Sequence, residues 1–327
     1  MSVMRNEFTK LMQKDMYGYY LESYDKFNPV YPMLFNVVQS NSAFEKTTTA
    51  IGMGQLSERS EGQSIVYSSP LEGFEVVIKN RTFSDGFTLS MEFVEDTPKE
   101  KMANIVRDFA NDWASGVTDT KETFAANFFN NGGLTAGDSI FNNTITGVVT
   151  DASGDLVYDG KPFFNLSGNN RSAKAHSTTY YNGLAAALSA DNLQTAYSLM
   201  TSTNNRNEKG DIISIKPNVL VIPPALKFTA KSLLESDILI TGANSTLPNK
   251  NTVSNLLTPI EWQYLTDVDA WFIGSAKQGL TFLERKAPVI DFYQDEDTKV
   301  YKANIDTRFG AGVTNWRYWV GSQFATS

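Results

Sequence analysis

Residues 97 to 131 constrain the fold more than any other stretch, because they read as one amphipathic helix longer than an ordinary domain core. Thr97-Pro98-Lys99-Glu100 has the pattern of a capping box with proline at the first helical position. Met102, Ile105, Val106, Phe109, Trp113, Val117, Phe124 and Phe128 follow on one broad face. Asn130-Asn131-Gly132-Gly133 ends the pattern with residues that tolerate a left-handed C-cap. About 30 residues rising ~1.5 Å each give a rod of roughly 45 Å, with Gly116 and Thr118 as candidate kinks.

A second unit says what lies beside the rod. Val219 to Ile222 is an apolar, mostly β-branched run bounded by prolines, the pattern of a strand buried on both faces. Pro223-Pro224 ends it and opens a helix whose Leu226, Ala230, Leu233 and Leu234 form one stripe, with Lys227, Lys231 and Glu235 toward solvent.

Ahead of the rod, Phe8, Leu11, Met12 and Met16 are spaced for a helix face, and Tyr17, Tyr19, Tyr20, Tyr24, Phe27, Tyr31 and Phe35 follow, interrupted by Pro29 and Pro32. Such an apolar arm packs either on its own domain or on a neighbouring subunit. Residues 46 to 70 are small and polar and read as a loop. Phe74, Val76 and Ile78, then Phe83, Phe87, Leu89, Met91 and Phe93, alternate at period two. Together these read as a two-stranded ribbon with a polar end, which needs something to lie against.

Beyond the rod, Asp151-Ala152-Ser153-Gly154 suits a hairpin turn, and Ser189 caps a helix running to about Met200. Ile260 to Tyr264 and Ala270 to Ile273 read as strands around Asp267 and Asp269, an acidic turn that lacks the third ligand of a metal site. Tyr301, Ala303, Ile305 and Phe309 alternate with Lys302, Asn304, Asp306 and Arg308, and Trp316 to Val320 reads as a closing strand. These elements make an α+β chain whose 41% hydrophobic and 20% charged residues suit a folded protein of two or more domains.

The function classes excluded are informative. With no cysteine there is no disulfide, thiolate nucleophile or cysteine-bearing zinc site. Twenty-eight basic against 36 acidic residues give a net charge of −8 with no dense basic run, unsuited to gripping nucleic acid yet compatible with enclosing it. No phosphate-binding glycine loop, G-x-S-x-G elbow or H-E-x-x-H occurs, and His176, the single histidine, has no local partner. No cofactor, metal or catalytic residue is therefore expected. The N-terminus lacks the apolar core of a signal peptide and no 18-residue apolar run occurs, so the expectation is a cytoplasmic product that does not enter membranes.

Several runs carry a resemblance: Ala125-Ala126-Asn127-Phe128-Phe129-Asn130-Asn131-Gly132, Pro217 to Ala230, Tyr264-Leu265-Thr266-Asp267 with Ala270-Trp271-Phe272, and Phe309-Gly310-Ala311-Gly312-Val313 with Trp316-Arg317. In this order they resemble the major capsid proteins of tailed bacteriophages, particularly the Mu-like major head subunits, over most of residues 70 to 320. The resemblance implies the HK97-type capsid fold: an N-terminal arm (1–45), an extended loop (46–93), a peripheral domain with the spine helix (94–182), an axial domain (183–285) and C-terminal strands returning to the peripheral domain (286–327). It implies self-assembly as hexamers and pentamers into an icosahedral shell around double-stranded DNA, in a virion assembled in the bacterial host cytoplasm. Portal and decoration proteins, with a separate scaffold or none, are its implied partners. An encapsulin-like compartment shell shares the fold and is the alternative, and a hydrolase with an unrecognised site is the alternative from another class. Glu58, Arg59, Glu61, Glu72, Phe74, Arg81, Arg308 and Arg317 are the candidate subunit contacts. The absence of lysine between Lys46 and Lys79 speaks against covalent crosslinking of the loop.

Overall fold

The long helix forms as one unbroken element, Lys99–Asn130, and the rest of the molecule is arranged along it. The computed structural model describes residues 2–51, 58–65, 67, 71–133, 159, 161–173, 177–239, 249–295 and 297–324, with the backbone alone at 2–11, 48–51, 71–74, 99–100, 239 and 249. The expected hairpin around Asp151 and the single histidine, His176, lie outside the described residues.

The ends of the helix differ from expectation. Thr97 does not cap it; its amide donates to the Phe93 carbonyl at 3.2 Å and closes a short preceding helix, Met91–Asp96. Ser90 caps that short helix by accepting from the Phe93 amide, so Met91 and Phe93 are helical and not part of a strand. Pro98 then occupies the N-cap of the long helix in an extended conformation. At the other end Asn131 has φ −105°, so no left-handed cap forms. Gly132 is required for another reason: a Cβ there would stand 2.8 Å from the Phe128 carbonyl and collide with the Phe164 ring. Gly116 and Thr118 leave the helix intact, the Thr118 hydroxyl bonding back to the Ala114 carbonyl at 3.0 Å.

Two sheets flank the rod. The first has four strands in the order Asn36–Gln39, Leu280–Gln294, Tyr301–Val313, Arg81–Leu89. Its centre is a long hairpin, of which Leu280–Gln294 was not anticipated from the sequence; register shifts between Glu284 and Val289, beside Pro288, break its alternation. Tyr301–Val313 buries every second residue as expected up to Arg308, and its last five residues, 309–313, are all buried. The second sheet has five strands in the order Thr258–Glu261, Val219–Ile222, Trp271–Gly274, Trp319–Ser322, Gly183–Leu184. Val219–Ile222 is buried at all four positions, as its apolar run predicts, and lies between Thr258–Glu261 and Trp271–Gly274. After it comes a single 3-10 turn, Pro224–Leu226, and the helix Lys227–Glu235, with Ala230 and Leu234 buried. The closing segment also differs: Trp316–Tyr318 is a 3-10 turn, and Trp319–Ser322 joins the five-stranded sheet. Ser189 caps the helix Ala190–Ser198 as expected, accepting from the Asn192 amide.

The ribbon is built from a different pair of strands than the sequence implied. Leu71–Lys79 pairs antiparallel with Phe44–Ile51, while Arg81–Leu89 turns away to join the four-stranded sheet. Residues 47–51, expected in a loop, are therefore strand. Val76 and Ile78 pack on Leu283 at the ribbon base, and the Asn80 amide donates to Ser40 Oγ at 2.9 Å and the Ser42 carbonyl at 2.8 Å.

The first helix, Ser2–Tyr24, is longer than the patch at its start implies and takes in Tyr17, Tyr19, Tyr20 and Tyr24. Met16 and Tyr20 are buried in the cluster that the first half of the long helix shares with the long hairpin. The Gln13 amide donates to the Ile290 carbonyl at 2.9 Å. Of the two readings of the arm, packing on its own subunit holds for these residues.

Candidate subunit-contact surface

The long helix changes character along its length. In its first half Met102, Val106, Ala110, Trp113 and Val117 bury one stripe, while from Thr118 onward polar residues are buried too, Lys121 and Glu122 among them. A buried charge is tolerated only where its lone pairs or protons are met. Glu122 meets that condition: Oε1 accepts from the amides of Val30 at 2.5 Å and Tyr31 at 3.1 Å, and Oε2 accepts from the Trp262 indole at 2.5 Å. Burial pushes its carboxyl pKa up, and these three hydrogen bonds oppose that shift without cancelling it. Lys121 pairs with Glu284 of the long hairpin at 2.8 Å. Burial, and next the charge of Glu284, push the Tyr31 phenol well above its ordinary value.

One helical stripe thus ties three parts of the chain together. Besides Glu122, Asp119 accepts from the Tyr264 hydroxyl, and Asn130 donates to the Tyr264 carbonyl and accepts from the Thr266 amide, both at 3.0 Å. The turn after the first helix, the second sheet and the rod are held in one relative orientation. In sequence these residues resemble ordinary surface polar positions of a helix, and only Phe124 and Phe128 nearby signal burial.

A second buried network surrounds Trp316. The guanidinium of Arg171 lies 4.8 Å from its ring centroid and that of Arg317 lies 4.6 Å from it. Each cation has a carboxylate, Asp159 for Arg171 at 2.6 Å and Glu208 for Arg317 at 2.7 Å. Arg317, expected at a subunit contact, is 4% exposed within the subunit, its guanidinium held against the Trp316 indole face and paired with Glu208.

The other expected contact residues are dispersed. Glu58, Arg59 and Glu61 are exposed toward the free end of the ribbon, where Gly62 turns with φ +83°. The side chains of Glu72 and Phe74 lie outside the described residues. Arg81 and Arg308 are half-buried near the ribbon base, where burial lowers the Arg81 pKa. Among the described residues Arg308 Nε has no hydrogen-bond partner. Large apolar groups are also open on this segment of the chain, with Tyr67 88%, Ile65 58% and Phe44 54% exposed. Large exposed apolar groups of this kind often mark a surface that another molecule covers.

Among the described residues no cluster of three His, Cys, Asp or Glu side chains is placed to hold a metal ion, and no helix is long and apolar enough to cross a membrane. The sequence model of a family described as phage capsid protein matches residues 74–322. The chain belongs to the phage capsid protein family. No curated protein matches the capsid subunit in sequence. Solved structures share its fold at low identity. The capsid of a native GTA particle matches with a TM-score of 0.54 at 12% identity, over 90% of this chain and 89% of that one. The capsid of cyanophage P-SCSP1u gives 0.53 at 9%, over 92% and 89%. Mycobacterium phage Patience gives 0.51 at 10%, over 98% and 88%. The fold is the HK97-type capsid fold, and the protein is a structural shell component of a virion, not an enzyme. The capsid-family match favours a phage head over a cargo compartment and over a hydrolase.

Proposed function

We propose that copies of this subunit assemble as hexamers and pentamers into an icosahedral head that encloses double-stranded DNA without sequence-specific contacts. The observation that carries this reading is the ribbon, Phe44–Ile51 with Leu71–Lys79, with open apolar groups at Phe44 and, between its strands, at Ile65 and Tyr67, on a chain of the capsid family. The ribbon serves as the extended loop, the first helix and following turn as the N-terminal arm, the rod and four-stranded sheet as the peripheral domain, and the five-stranded sheet as the axial domain. The ribbon strands support a loop boundary at residues 44–79. Exposed Glu58, Arg59 and Glu61 and half-buried Arg81 and Arg308 are the subunit contacts, and Glu72 and Phe74 belong to the same surface. The ribbon is held on its neighbour by packing and charge, since no lysine lies between Lys46 and Lys79 to form a covalent link. Assembly takes place in the host cytoplasm, with a separate scaffold or none, and the finished head takes portal and decoration proteins.

The test is assembly of the purified chain followed by electron microscopy. Closed shells are the expected outcome, and a chain that stays monomeric under every assembly condition contradicts it.

A further inference from the structure

A groove of about 660 Å³ runs between the long helix and the strand Arg81–Leu89. Its wall is aromatic: the ring centroids of Phe87 and Phe109 stack 4.2 Å apart, and the Trp113 ring lies 5.2 Å from Phe87. Phe87 and Phe109 are only half-buried. The charged groups that line the groove are both acids, Asp85 and Asp112, and both are exposed. Asp85 accepts from the Trp113 indole at 3.0 Å, which leaves most of its acceptor capacity open, and among the described residues neither acid is paired with a cation. Gly116 adds an independent sign of an occupant. It stands near the middle of the 32-residue helix, where glycine is less stable than alanine, yet an added Cβ would meet nothing within 4 Å. No described neighbour inside the subunit calls for glycine there. It lines the groove, where the missing side chain leaves the helix backbone open to a ligand.

We propose that this groove binds a small organic cation of the alkylguanidinium class, with its apolar body on the wall of Phe87, Phe109 and Trp113 and its charged head at Asp85 and Asp112. The volume falls within the ~300–1,000 Å³ typical of small-molecule sites. A guanidinium suits this lining better than an ammonium, because a planar, weakly hydrated cation both stacks on aromatic rings and donates in pairs to a carboxylate. An anion finds no positive group in the lining, and a neutral molecule gains nothing from the two acids. The site belongs to the surface of the single subunit and does not rest on the shell-forming reading above.

Calorimetric titration of the full-length chain, held below its assembly concentration, tests this with two probes of one shape: butylguanidinium, and butylurea as its uncharged counterpart. Butylguanidinium should bind at one site per chain, about tenfold or more tighter than butylurea, since charge and ring contact both favour the cation. Asp85→Asn and Asp112→Asn should each weaken it by roughly three- to tenfold, the range of one charge-assisted contact. Gly116→Leu, whose Cβ meets nothing inside the subunit, should abolish binding while the thermal midpoint holds or rises. Loss of binding at an unchanged midpoint separates a filled groove from a damaged fold. Equal affinity for the two probes, unchanged affinity in both aspartate variants, or no binding at millimolar concentration would overturn the assignment. Wild-type affinity in a folded Gly116→Leu chain would overturn it as well, since the probe would then sit elsewhere. Each of these outcomes leaves the shell reading intact, because that reading is decided by assembly.

Discussion

Glu122 carries the clearest single-residue consequences, because one carboxylate serves three donors from two distant segments. In Glu122→Gln the new amide can still accept from the Val30 and Tyr31 backbone, but its NH₂ faces the Trp262 indole donor. One buried donor is then unsatisfied, at ~1–3 kcal/mol of stability measured by denaturant unfolding. The pH dependence has a definite sign. A carboxyl whose folded pKa is raised contributes stability that is fully present below its ordinary value, ~4.3, and is lost as pH rises through the raised one. The stability difference between wild type and Glu122→Gln should therefore widen as pH falls through that window; a difference that narrows would show that the hydrogen bonds outweigh burial. Arg317→Ala removes the ion-pair partner of Glu208, itself 8% exposed, and should cost about 3 kcal/mol or more, without recovery in Arg317→Lys, which lacks the planar stack on Trp316. If Arg317→Ala leaves the thermal midpoint unchanged and lowers only assembly, Arg317 acts at an interface after all.

At the scale of elements, the ribbon should be separable from the core. Its base is fixed by Val76 and Ile78 on Leu283 and by Asn80, all outside residues 52–64. Deleting 52–64 should leave native circular dichroism and protease resistance while weakening assembly; unfolding on deletion would place the segment in the core. What the sequence showed and what it hid follow from the range of the contacts. Val219–Ile222 with its proline turn and helix was legible because burial, breaker and stripe are all local, and the rod was legible because its stripe runs for 32 residues. Strand pairing was not. Arg81–Leu89 alternates as a ribbon strand would, but its partner, Tyr301–Val313, is far along the chain, and alternation does not say which strand is the neighbour. Met91–Asp96 imitated a continuation of that strand because six residues are too few to show helical period. Of the expected contact residues, Glu58, Arg59 and Glu61 are exposed, as charged residues in a polar loop should be. The candidate site was hidden where polar residues are buried, since nothing local marks Glu122 or Arg317 as interior.

For the whole molecule, a rod that one stripe of side chains ties to both the turn after the first helix and the segment that follows the strand Thr258–Glu261 acts as a strut. Burying the open apolar groups of the ribbon contributes ~25 cal/mol per Å², and repetition around a closed shell turns modest contacts into a sharp assembly threshold. Association should accordingly rise steeply with concentration, and the deletion of 52–64 should shift the threshold without altering subunit secondary structure. The measurement that bears most directly on this account is sedimentation velocity of the purified full-length chain across a concentration series, with electron microscopy of the fast-sedimenting fraction. The account predicts a threshold above which subunits pass into closed shells with few intermediates. A single slow species at every concentration and condition, with the ribbon protected from protease in the monomer, would contradict it.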